Sequence, residues 1–95
     1  MKRVVPTPAP VDPWVQDPVL FGQAIGAART ASGMTLMDAA AAMGISKQTL
    51  SDLEKATGSV GLAIALRVGR ELGVGVFAVQ PAQRWAARQT LMDSS

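Results

Sequence analysis

The chain has 95 residues, a formal net charge of +2 and neither cysteine nor histidine. One compact domain fits this length, and a chain so short buries a modest fraction of its surface, so self-association is expected. The missing thiols and imidazoles exclude disulfides, thiolate metal sites and the commonest general base, which disfavours an enzyme or a metal or cofactor site; the mildly basic balance, pI about 9.7, admits nucleic acid as a partner.

Residues 1–17 form an arm. Pro6, Pro8, Pro10 and Pro13 fall within it and Pro18 follows directly, and prolines so dense cannot sustain a helix or a sheet ladder. Trp14 is its large apolar anchor, set to pack on the domain, while Lys2 and Arg3 are candidates for contact with DNA. From Asp17 the pattern becomes helical. Asp17 can cap a helix with Pro18 in its first turn, Phe21, Ile25 and Ala28 recur at helical spacing, and Gly33 sits where the helix should stop. Thr35 with Asp38 three residues later resembles a capping box; the helix it opens runs through four alanines to Met43 and ends at Gly44. Ser46 caps a third helix that points Leu50 and Leu53 inward and ends near Lys55. A fourth spans 61–72, stopped by Gly73, with Leu62, Ala65, Leu66, Gly69 and Leu72 on one stripe and Ile64 and Val68 on a second.

Beyond Gly73 the residues Val74, Val76, Phe77 and Val79 suit a short strand over 74–80, ended by Pro81. Residues 81–95 form a tail in which 82–92 has the makings of a short helix with Trp85 on one face. The most apolar stretch, 62–79, is interrupted by Arg67, Arg70 and Glu71, and a membrane span needs about 20 largely uncharged residues. No apolar run follows Lys2 and Arg3, so no secretory signal is expected and the cytoplasm is the expected compartment.

The informative stretch is 36–54. Two short helices that meet at a tight turn need a small residue where they cross and a glycine at the turn. Ala40 and Gly44 supply these, and Ala39, Met43, Ile45, Leu50 and Leu53 are apolar at the positions that must face inward. With caps at Thr35 and Ser46, the segment Thr35-Leu36-Met37-Asp38-Ala39-Ala40-Ala41-Ala42-Met43-Gly44-Ile45-Ser46-Lys47-Gln48-Thr49-Leu50-Ser51-Asp52-Leu53-Glu54 resembles the helix-turn-helix domains of the Xre/Cro/lambda-repressor family, over about residues 20–79. The layout of 72–79 looks most like that of HipB-type antitoxins, in which a short strand after the last helix pairs with its symmetry mate.

The resemblance implies a mostly α, four- to five-helix lambda-repressor-like domain over 18–73, with one C-terminal strand pairing across a homodimer. It implies double-stranded DNA as partner and transcriptional repression as function, with neutralisation of a protein toxin as the competing reading. In such a domain the third helix enters the major groove by its N-terminal end. That places Lys47, Gln48, Ser51 and Asp52 outward, with Gln48 the natural reader of adenine. Asp52 can accept from cytosine, orient Gln48 or repel unwanted sequences. Thr49, Ser51, Lys55 and the backbone amides at Thr35 and Ser46 are candidates for phosphate. Family members often carry Gln at the position of Leu36, where it contacts the DNA backbone; Leu36 either packs locally or touches a sugar edge. The resemblance further implies an internal ion pair between Arg29 and Glu54. Arg67 and Arg70 are expected on a solvated face. Ile64, Val68, Val74, Val76, Phe77 and Val79 are the candidate dimer contacts, because a lone strand leaves backbone groups unpaired and a second copy can supply the ladder.

Overall fold

The computed structural model describes residues 3–93. Among these, five α-helices follow one another: α1 (Pro18–Ala31), α2 (Leu36–Met43), α3 (Lys47–Lys55), α4 (Leu62–Glu71) and α5 (Arg84–Asp93), the last preceded by a 3₁₀ turn over Pro81–Gln83. The helix starts are set by local chemistry. The side chains of Asp17, Thr35 and Ser46 accept from the backbone N–H of Leu20, Asp38 and Thr49, each satisfying one otherwise orphaned donor. The stops are equally local. Gly44 closes α2 at φ 68°, and the Ile45 N–H returns to the Ala40 carbonyl at 3.0 Å.

Ile25, Leu50 and Val68 are fully buried and form the centre of the core, with Ala39, Ala40, Met43, Leu53 and Ala65 around them. Small residues decide how closely the helices approach. A Cβ on Gly22 would lie 2.4 Å from the Leu53 carbonyl oxygen and 2.6 Å from that of Glu54, so this glycine lets α1 lie on the end of α3. At the other crossing, Gly69 faces Phe21 and Ile25, bringing α4 against α1.

The arm is laid along α1. The Thr7 N–H donates to Thr30 Oγ1 at 2.9 Å, and Gln23 Nε2 donates to the Pro8 carbonyl at 2.9 Å. Its far end meets α5, where Asp12 pairs with Arg88 and the Arg84 guanidinium lies 5.0 Å from the centre of the Trp14 ring. Lys2 lies outside the described residues; Arg3 is exposed.

Three expectations change. Residues 74–80 carry no regular secondary structure, and no strand occurs among the described residues. Val74, the first residue of the expected strand, is instead part of the α4 stop: its N–H bonds the Gly69 carbonyl at 2.8 Å and its side chain packs on the core. Val68, expected among the dimer contacts, is fully buried in the core of its own chain, because it shares the inner face of α4 with Ala65 and Gly69. Arg67 is not simply solvated: its Nη2 donates to the Met43 carbonyl at 2.7 Å, supplying a cation to the C-terminal end of α2. Arg70 is exposed. The expected terminal helix is present as α5, with Trp85 75% exposed on it.

Candidate nucleic-acid interface

The turn between α2 and α3 contains Gly44, Ile45 and Ser46. Ile45 packs on the core, so the turn is anchored and the N-terminal end of α3 is held outward. Lys47 and Gln48 are exposed there, one helical position apart. Ser46 and Thr49 are tied together, their hydroxyls 2.8 Å apart and the Thr49 N–H donating to Ser46 Oγ at 3.0 Å. Thr49, Ser51 and Asp52 are half-buried, and Lys55 is exposed in the last turn.

Gln48 does not hang free. Its Nε2 donates to Asp52 Oδ1 at 2.8 Å across one turn of α3, and Thr57 Oγ1 donates to the same oxygen at 3.0 Å. Of the roles open to Asp52 from sequence, orientation of Gln48 is the one whose geometry is present. Thr57 was not singled out in the sequence. Its only signal there is a hydroxyl residue five positions after an outward Asp, just past the helix end.

Below this surface lies the pair between α1 and α3. Arg29 Nε and Nη2 donate to Glu54 Oε2 and Oε1 at 2.6 and 2.9 Å, and Arg29 Nη1 donates to the Met34 carbonyl at 2.7 Å. Both side chains are nearly buried, at 10% and 12% exposure. This two-pronged pair joins the first helix, the loop that follows it and the third helix into one unit.

Thr35 is half-buried, its hydroxyl already accepting from the Asp38 N–H. Leu36 is half-buried and packs against the core, which is the local-packing alternative for that position. Of the candidate dimer contacts, Val76 and Phe77 are well exposed at 52% and 76% and Ile64 is exposed on α4, whereas Val79 is half-buried.

A helix-turn-helix family model matches residues 25–77, from the middle of α1 through the segment beyond α4. The chain belongs to the Xre/Cro/lambda-repressor-like helix-turn-helix family. No curated protein and no solved structure matches it. Membership makes this helix-turn-helix protein a DNA-binding transcriptional regulator of the Xre type. No helix of the described residues is long and apolar enough to cross a membrane.

Proposed function

We propose that the chain is a non-enzymatic repressor that binds an inverted-repeat operator as a homodimer, with α3 of each copy in the major groove. The observation that carries this reading is the outward edge of α3, where Lys47, Gln48 and Ser51 project beside a helix N-terminus capped by Ser46. Gln48 reads a base edge. Lys47 and Lys55 contact phosphate, which positions the domain without reading sequence.

Exposed apolar surface supports an interface with a second copy. The exposed apolar side chains Leu62, Leu66, Val76, Phe77 and Trp85 are the natural material for that interface. Leu62, Leu66 and Val76 border a groove of about 620 Å³ between the start of α1, the α3–α4 turn and α4. Among the described residues, 75–79 have no ladder partner, and the same segment of a second copy supplies one antiparallel to it. The same apolar surface favours a second reading, in which it holds a protein toxin and DNA binding is autoregulatory.

Selection of bound duplexes from a randomised library, with sedimentation of the free protein, tests the first reading. The expected outcome is a dimer and an inverted repeat with half-sites about one helical turn, 34–36 Å, apart. A chain ending at Gly73 should be monomeric and bind poorly. A dimeric truncated chain of unchanged affinity refutes the proposed interface, and an unbiased duplex pool refutes sequence-specific repression. For the second reading, a tight stoichiometric complex with the product of an adjacent gene, formed without DNA, is the expected sign.

A further inference from the structure

The end of α3 is built in an unusual way. Its cap residue Ala56 adopts the left-handed conformation, φ 55°, the one non-glycine to do so among the described residues. The turn this makes brings the Thr57 N–H to the Asp52 carbonyl at 2.9 Å and, on the same residue, Thr57 Oγ1 to Asp52 Oδ1 at 3.0 Å. Gly58, also left-handed at φ 65°, then passes so close that a Cβ there would stand 3.2 Å from Asp52 Oδ2. The Asp52 carboxylate is thus bonded at Oδ1 by Thr57 and closely approached at Oδ2 by Gly58, and the same Oδ1 accepts from Gln48 Nε2 at 2.8 Å.

We infer that Thr57 is a positioning residue for sequence recognition, acting through Asp52 to fix which way the Gln48 amide faces. The inference rests on the reading of Gln48 as the base contact. An ionised carboxylate accepts and cannot donate, so the amide must turn its nitrogen, not its oxygen, toward Asp52. One N–H is then occupied, leaving one N–H and Oε1 for the groove. That remaining set matches adenine, which offers an acceptor at N7 and a donor at N6. Guanine offers two acceptors, N7 and O6, and one of them would face Oε1. A glutamine free to turn presents its NH₂ to guanine; the held one does not. Thr57 therefore raises the discrimination of adenine over guanine at one operator position without itself touching DNA. Pinning Asp52 before binding also removes rotamer freedom that the complex would otherwise have to freeze.

The test uses the full chain on duplexes from a randomised library, followed by affinities for four duplexes that differ only at the position read by Gln48. Thr57→Val removes the hydroxyl while keeping the shape; Thr57→Ser keeps the hydroxyl. The expected result is that Thr57→Val lowers the adenine-to-guanine affinity ratio about tenfold, the scale of one well-made bidentate contact, while Thr57→Ser retains it. Asp52→Ala should lower the ratio as much, and Thr57→Val should add nothing in the Asp52→Ala background. An unchanged ratio in Thr57→Val, with Gln48→Ala abolishing the preference, overturns the inference and leaves Gln48 as the reader. Equal weakening on all four duplexes, with a lowered melting temperature, assigns Thr57 to the helix stop alone and also overturns it. A preference that survives Gln48→Ala removes both the reader and the inference.

Discussion

Glu54→Gln tests the joint between α1 and α3. The side chain keeps its size, but the amide offers one acceptor oxygen where the carboxylate offered two, and it carries no charge. Arg29 is 8% exposed and directs three N–H groups at fixed partners, two on Glu54 and one on the Met34 carbonyl. The variant leaves a buried guanidinium cation facing a neutral amide. Breaking a buried pair in this way costs about 3–5 kcal/mol. Against a total stability of about 5–15 kcal/mol for a domain, that is a large share, and the melting temperature of a chain this size should fall by about 12 °C or more. Denaturant unfolding of wild type, Arg29→Met, Glu54→Gln and the double variant gives the coupling directly. The double variant should be hardly worse than either single one, because once one charge is gone the other is better removed. The coupling should also persist near 1 M salt, where the screening length is about 3 Å but solvent ions do not reach a buried pair. Arg67 and Glu71, at 42% and 41% exposure, provide the contrast: a surface pair of this kind contributes about 0–1 kcal/mol and weakens with salt. Additive effects at Arg29 and Glu54, or a coupling that vanishes at high salt, would refute the argument.

Three further outcomes are expected. Gly22→Ala puts a methyl group 2.4 Å from a backbone oxygen of α3, so the helices must separate; the loss should be about 1–3 kcal/mol or more by denaturant unfolding, and a neutral variant would mean the crossing is looser than described. Ala56→Gly relieves a left-handed alanine and should stabilise the chain by about 0.5–1 kcal/mol, seen as a raised unfolding midpoint with unchanged slope. Lys55→Ala should weaken binding to all duplexes nearly alike and reduce the salt slope by about 1, whereas a selective loss at one base position would make Lys55 a base reader.

The sequence by itself determined what neighbouring residues decide among themselves. Asp17, Thr35 and Ser46 each bond an N–H three residues on, and Gly44 turns the chain where it stands, so the helices and the tight turn of the motif follow from local bonds that any fold would respect. The outward placement of Lys47 and Gln48 follows too, since Leu50 and Leu53 fix which side of α3 is inner. The pairing of Arg29 with Glu54 was legible only through likeness to a family, because nothing within 25 residues of chain requires it. Tertiary structure decided the rest. On α4 the apolar residues offered two stripes, and only packing against Phe21 and Ile25 chose Ala65, Val68 and Gly69 for the core and left Leu62 in solvent. Residues 74–79 have the composition of a strand, but a strand needs a second backbone segment to pair with, and among the described residues none lies beside them as a strand. The hold of Thr57 on Asp52, the reach of Arg67 to the Met43 carbonyl and the bond from Asp12 to Arg88 depend on where the chain returns after a turn or across the domain. Periodicity records which face of a helix is apolar; it carries no information about what will be brought to lie against that face.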